Sequence, residues 1–364
     1  MKIQENIPLA PFTTFAVGGP GRYFAEARSE AELREALEFA AQKRLPLFVL
    51  GGGSNLVVAD EGWPGLVLKI GLKGIESQSH SGETLFHVAA GENWDDLVAV
   101  TVERNCAGIE CLSGIPGTVG GTPVQNVGAY GQEVSQTIST VQLMEIATGK
   151  VSELKNEECG FTYRSSIFNT NQRDRYIVLE AVYRLKQGGQ PTIQYADLQK
   201  FFADAASTPS LRQVRDAVRL IRQSKAMLLV PGDEDCRSAG SFFKNPLVSA
   251  DEAERIQVLA HERFPGKLLP QYAADDGRVK LSAAWLVEQA GFPKGYARGP
   301  VGISRKHSLA IVNRGGAGAR DIIALKQEIE QKVLQVWGVR LQPEPVFVGF
   351  EQAKIKTKLV DQNG

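Results

Sequence analysis

One stretch limits the chain more than any other. From Leu112 to Gly131 it reads LSGIPGTVGGTPVQNVGAYG, with six glycines, two prolines and no charged residue. A solvent-exposed loop of that length ordinarily carries charge, so this one reads as backbone brought close to a ligand. Main-chain N–H groups in such turns form nests that hold a phosphate without a lysine. The side-chain amides of Gln125 and Asn126 offer donor and acceptor together, which suits the edge of a flat heterocycle. A second cluster, Gly51-Gly52-Gly53-Ser54-Asn55, follows directly on the apolar run Leu47 to Leu50. Two separated cradles suit a diphosphate joining two large groups, that is, a dinucleotide; tight structural turns are the plain alternative for both. Neither cluster is GxxxxGK[ST] or a helix-opening GxGxxG, so any nicotinamide binds without the Rossmann signature.

The rest of the composition narrows the class. Lys plus Arg and Asp plus Glu both number 41 in 364 residues, for a net charge of zero. That balance supplies no basic footprint for nucleic acid. The length predicts two or three domains. No apolar run is long enough to cross a bilayer, and the start, MKIQENIPLAPF, lacks the apolar core of a secretion signal. The expectation is a cytoplasmic protein with neither membrane nor nucleic acid as partner. Cys106, Cys111, Cys159 and Cys236 are too few for a disulfide scaffold in so long a chain. His80, His87, His261 and His307 are scattered, and no metal site is expected. Cys236, between Asp235 and Arg237, is the one cysteine whose neighbours invite a check for reactivity.

Hydrophobic periodicity supplies the elements. Ser29 with Glu32 is a capping box, and Leu33, Ala36, Leu37 and Ala40 recur at helical spacing to about Arg44. Leu47 to Leu50, Leu66 to Ile70 and Thr84 to Ala90 read as strands, Trp94 to Arg104 as a helix, and Val141 to Ile146 with Val151 to Leu154 as a hairpin. Arg175 to Lys186 alternates, with Ile177, Leu179, Ala181, Tyr183 and Leu185 on one face, which predicts a long half-buried strand. Thr208-Pro209 predicts the start of a helix that buries Leu211, Val214, Val218 and Ile221. Further helices are expected from Ser249 to Phe264, Ser282 to Ala290 and Arg320 to Trp337, the last two closed by Gly291 and Gly338. Val346 to Phe350 reads as a last strand. Helices and strands neither alternate strictly nor segregate, so the fold class is α+β in about three lobes.

The order of motifs is similar to that of one family. Thr14-Phe15-x-Val17-Gly18-Gly19, Leu50-Gly51-Gly52-Gly53-Ser54-Asn55, Gly91-Glu92-Asn93-Trp94, Ile115-Pro116-Gly117-Thr118-Val119-Gly120 and Gln125-Asn126-Val127-Gly128-Ala129-Tyr130-Gly131 lie in the first part. Tyr163-Arg164-Ser165-Ser166-Ile167-Phe168, Gly240-Ser241-Phe242-Phe243-Lys244-Asn245-Pro246 and Leu341-x-Pro343-Glu344 follow. Together they resemble the UDP-N-acetylenolpyruvoylglucosamine reductase family over nearly the whole chain. Ile193-Gln194-Tyr195-Ala196-Asp197-Leu198 resembles the segment of the type I group that carries a substrate-covering tyrosine.

The resemblance implies a two-lobed FAD-binding domain of the vanillyl-alcohol oxidase-like type plus a C-terminal α+β substrate-binding domain. The expected units are 1–70 and 71–225 for the two lobes and 226–345 for the substrate domain, with 346–364 returning to the first lobe. It also implies reduction of enolpyruvyl-UDP-N-acetylglucosamine to UDP-N-acetylmuramate in peptidoglycan precursor synthesis. In that reaction a hydride passes from NADPH to N5 of non-covalent FAD and on to C3 of the substrate, after which C2 is protonated. Arg164 and Glu344 are then expected to stabilise the charge that develops at the substrate carboxylate, and Ser241 to give the proton. Cofactor contacts are expected from Gly51, Gly52, Gly53, Ser54, Asn55, Ile115, Pro116, Gly117, Gly120, Gly121, Gln125, Asn126, Gly128, Ala129 and Tyr130. Tyr195, Lys225 and Asn245 are expected to hold the UDP-sugar, and the protein to act as a monomer.

One departure and two rival readings accompany this. The segment from Lys225 to Gly240 is longer than the link that the resemblance implies, which leaves the reach of Lys225 open. The rivals are another oxidase of the same flavin fold, tethered to FAD through a histidine, and a nucleotide-sugar sensor without turnover. His80 and His87 lie outside the glycine clusters, and Arg164, Ser241 and Glu344 are all present, which weighs against each in turn.

Overall fold

The computed structural model describes residues 1–274 and 277–350. At the N-terminus, strands Ile3–Pro8, Pro20–Ala27, Trp63–Ile70 and Leu47–Leu50 lie side by side in that order. The last three are parallel to one another, as a strand–helix–strand crossover demands. That crossover is α1, Glu30–Gln42. Its start is written in the sequence: Ser29 Oγ accepts from Glu32 N at 3.2 Å while Glu32 Oε2 accepts from Arg28 N at 2.6 Å. Leu33, Ala36 and Ala40 face the sheet.

The second sheet is antiparallel, in the order Val151–Lys155, Ile138–Glu145, Tyr176–Gln187, Glu83–Ala89, Ile75–His80. The long strand Tyr176–Gln187 differs from its expectation: Val178 and Val182 are buried along with the alternating set. It sits between two neighbours in the sheet interior and carries the turn Val119–Gly121 against it, so both faces are covered along its first half, while Arg184 and Lys186 near its end stay exposed. α2, Trp94–Glu103, packs Trp94, Leu97 and Val98 into the same apolar core as α1.

α3, Ala196–Phe201, and α4, Leu211–Ser224, follow. α4 begins two residues beyond the Thr208-Pro209 start, because Ser210 makes the better cap: its Oγ accepts from Gln213 N and Gln213 returns the bond to Ser210 N. The C-terminal part has its own core. α5, Ala250–Arg263, α6, Ala283–Gln289, and α7, Ala319–Trp337, pack around the strands Val301–Ile303 and Ile311–Asn313. Gly338, at φ 71°, ends α7 in the left-handed turn that favours glycine.

This C-terminal core is not closed without the N-terminus, since Phe15, Val17 and Val57 are part of it. Strand Val346–Val348 also returns to pair in parallel with Leu56–Val58. The expected last strand is therefore shorter than Val346 to Phe350, and 351–364 lie outside the described residues. The consequence for the site is direct: the strand that begins two residues after Glu344 is stitched to the chain just after the first glycine cluster.

Candidate active site

The two glycine clusters are not separate cradles. They touch. A Cβ on Gly52 would lie 2.5 Å from Gly117 Cα, so only glycine lets the backbones meet there. Ser54 Oγ donates to Pro116 O at 2.8 Å and Asn55 Nδ2 donates to Gln125 Oε1 at 2.7 Å. The first cluster has the main-chain donors to spare. Among the described residues, none of the main-chain N–H groups of Gly51, Gly52, Gly53, Ser54 and Asn55 donates to a protein acceptor. Five consecutive unengaged donors at a bend, beside the N–H groups of Ile115 and Gly117 in the same condition, fit a diphosphate.

Other members of the second cluster do not. Gly120 N donates to Ala90 O, and Gly121 N to Thr118 O, so those amides belong to the fold. At Gly121 a Cβ would meet nothing within 4 Å, so open space, not a tight approach, lies beside it. The Asn126 amide is buried and fully engaged, donating to Glu133 Oε2 and Thr162 O and accepting from Ser135 N. Both of its N–H donors are spent within the protein, which leaves at most one lone pair of the oxygen for a heterocycle. Gly128 supports Arg164 through its carbonyl, at 2.6 Å. Ala129 is in a two-residue hairpin strand paired with Gln132, and Tyr130 is buried against Leu198, Val214 and Val218. These three shape the wall behind the site.

Arg164 and Glu344 meet directly, with Arg164 Nε 3.2 Å from Glu344 Oε1. Arg164 sits at φ 55°, an uncommon conformation for a residue with a side chain. Contacts on several sides hold it there: Gly128 O, the Glu133 carboxylate at 4.0 Å, and the Tyr163 ring 5.2 Å from the guanidinium carbon. Ser241 arrives by backbone pairing. The next residue, Phe242, accepts from Glu344 N at 2.9 Å, and Lys244 N donates to Gln342 O. Asn55 Nδ2 also donates to Glu344 O at 3.2 Å, which ties the first glycine cluster to the same strand.

The three expected sugar-holding residues flank this centre. Tyr195 is exposed, and its ring stands edge-on to Tyr130 at 5.3 Å. Lys225, at the end of α4, pairs with Asp197 at 2.5 Å, so the longer segment after it has not carried it out of the cleft. Asn245 Oδ1 accepts from Ala283 N at the start of α6, which leaves its Nδ2 group to face a ligand.

The family is decided by comparison with known proteins. The family model for the UDP-N-acetylenolpyruvoylglucosamine reductase C-terminal domain matches residues 231–348, and that for an FAD binding domain matches residues 21–155. A UDP-N-acetylenolpyruvoylglucosamine reductase of Thermobifida fusca is 47% identical over 351 residues, covering 95% of this chain and 98% of that protein. One of Streptomyces avermitilis is 43% identical over 355 residues, covering 96% of each. The chain belongs to the UDP-N-acetylenolpyruvoylglucosamine reductase family. The crystal structure of the family's enzyme from Thermus caldophilus matches this fold with a TM-score of 0.65 at 25% identity, covering 96% of this chain and 99% of that one.

As a family member the chain is an oxidoreductase with an FAD-binding domain. Its cleft also holds a residue that sequence reasoning passed over. His307 Nε2 lies 3.1 Å from Ser241 Oγ. Burial, together with Lys225, Lys294 and Arg222 nearby, lowers its pKa to about 4. A lone histidine after the run Ser304-Arg305-Lys306 carries no motif, and only the return of that turn to Ser241 marks it. Cys236, by contrast, is buried with its thiol pKa raised by desolvation and its Sγ 2.9 Å from Leu228 O, so it is an inert thiol.

Proposed function

We propose that this chain reduces the enolpyruvyl ether of UDP-N-acetylglucosamine to UDP-N-acetylmuramate in peptidoglycan precursor synthesis, with NADPH as electron source, working as a cytoplasmic monomer. Bound non-covalently along Gly51 to Asn55, Ile115 and Gly117, FAD supplies hydride-transfer chemistry. The chain's own residues then handle charge and proton. Arg164 and Glu344 flank the substrate carboxylate, where negative charge grows as the double bond is reduced; the guanidinium pairs with that charge, and Glu344 lowers the barrier by donating a hydrogen bond to it as the carboxylic acid. Ser241 gives its hydroxyl proton to C2. A serine hydroxyl is a weak acid, but a carbanion-like carbon is basic enough to take its proton. Lys225 and the Asn245 amide bind the diphosphate, and Tyr195 covers it. Units 1–70, 71–225 and 226–345 carry the two flavin lobes and the substrate domain.

The observation that carries this reading is the meeting of Arg164 with Glu344, whose main chain is bonded to Phe242, the residue after Ser241, in a chain that belongs to this family. Purified protein should absorb as a flavoprotein, lose the flavin on denaturation, and consume NADPH when enolpyruvyl-UDP-N-acetylglucosamine is added. A flavin that NADPH never reduces, or NADPH consumption indifferent to that substrate, overturns the proposal.

A further inference from the structure

The geometry points to His307 as the positioning residue of Ser241, donating Nε2–H to its hydroxyl oxygen so that the serine proton is left to face the substrate. The inference rests on the proton-donor reading of Ser241 and deepens it.

Both partners are fixed by backbone. Phe242 N donates to Leu309 O at 2.8 Å and Phe242 O accepts from Glu344 N, so Ser241 is held between the His307 turn and the Glu344 strand. The turn is itself closed: Ala310 N donates to His307 O, Ser304 N to Ala310 O, and Ser308 Oγ to Glu288 Oε2 at 2.8 Å. The 3.1 Å contact between Ser241 Oγ and His307 Nε2 is therefore built in, not a chance rotamer of two loose side chains.

The direction of this bond decides what it does. A neutral imidazole carries one N–H, on either nitrogen. If Nε2 were bare it would accept the serine proton and turn it away from the substrate. If Nε2 carries the hydrogen, Oγ is the acceptor and its own hydrogen is directed elsewhere. Burial, and after it the nearby charges of Lys225, Lys294 and Arg222, disfavours the imidazolium, so one N–H is what the ring has. In the proton transfer the Oγ–H bond breaks and a C2–H bond forms. The electron pair stays on Oγ, where the Nε2–H bond stabilises it until water restores the proton. That is a donor aimed at developing charge.

The test combines a spectroscopic and a kinetic reading on the FAD-loaded protein. With 15N-labelled histidine, only four side chains report, and His307→Gln assigns the signal of interest. The expected spectrum shows a neutral ring protonated at Nε2. Kinetically, His307→Ala should leave flavin reduction by NADPH unchanged and slow reoxidation by the enolpyruvyl substrate by about 100-fold. His307→Gln, whose amide N–H can reach the same oxygen, should recover most of that rate. Ser241→Ala combined with His307→Ala should be no slower than Ser241→Ala alone, as for residues acting through one another. A bare Nε2, a normal rate in His307→Ala, or additive losses in the double variant each overturn the inference while the role of Ser241 stands. A normal rate in Ser241→Ala itself overturns the proton-donor reading and this inference with it.

Discussion

Asn55 Nδ2 lies 2.7 Å from Gln125 Oε1, so a side chain of one glycine cluster clasps a side chain of the other. The same nitrogen donates to Glu344 O, so one amide joins both glycine clusters to the segment that carries the acid. Asn55→Ala removes both bonds and leaves two acceptors short of a partner, at a cost of about 1–3 kcal/mol. FAD should bind roughly 10- to 100-fold more weakly, read from the rise in flavin fluorescence on dilution. Unchanged FAD affinity would mean that the loops hold their shape without this clasp.

Two glycines of the clusters should respond in opposite ways. Gly53 has φ 65°, and a Cβ there would come within 1.7 Å of Phe12 O, so Gly53→Ala must move backbone. It should lower the melting temperature and abolish flavin retention. Gly121 has open space beside it, so Gly121→Ala should stay within about 1 kcal/mol of the parent in denaturant unfolding. Equal effects at the two sites would contradict this backbone geometry.

Much of this arrangement was legible in the sequence, and the exceptions have physical causes. α1, α5 and α7 follow from caps and periodicity, which are local: Ser29, Ser249 and Gly338 do what their residue types predict. The start of α4 was misplaced because a Pro at the first turn and a Ser two residues later are both legitimate signals, and only the reciprocal bond with Gln213 chooses between them. The glycine clusters read as two separated cradles close to a ligand, and nothing in their composition says that they approach each other. Composition does not say which amides the fold has already engaged, as it has those of Gly120, Gly121 and the Asn126 side chain. His307 was invisible because its meaning lies in a contact between two turns far apart in the chain.

Arg164 offers a test of whether geometry or charge matters at the acid. Its guanidinium reaches Glu344, Gly128 O and the Tyr163 ring together, which a lysine ammonium cannot reproduce. Arg164→Lys keeps the charge and should still lower the rate of substrate reduction by about 100- to 1000-fold with FAD affinity unchanged. Retained activity in this variant would mean that a point charge suffices.

The buried imidazole of His307 also makes stability depend on pH, and the sign follows from its direction of shift. Unfolded, the ring takes a proton near its ordinary value of 6.5, while in the fold it resists protonation down to about 4. Between those values the unfolded chain binds the extra proton, so stability is fully present above the upper value and falls as pH drops toward the lower one. At about pH 5 the loss from this one group amounts to about 2 kcal/mol. Asp95 and Asp233, whose pKa values are lowered below that of an ordinary carboxylate, lose their own contributions only at more acid pH. The comparison is therefore clean between about pH 7.5 and about pH 5. The melting temperature of the parent should fall across that interval by several degrees more than that of His307→Gln, which has nothing to protonate. Equal falls in the two proteins would mean that the ring is not held neutral by the fold.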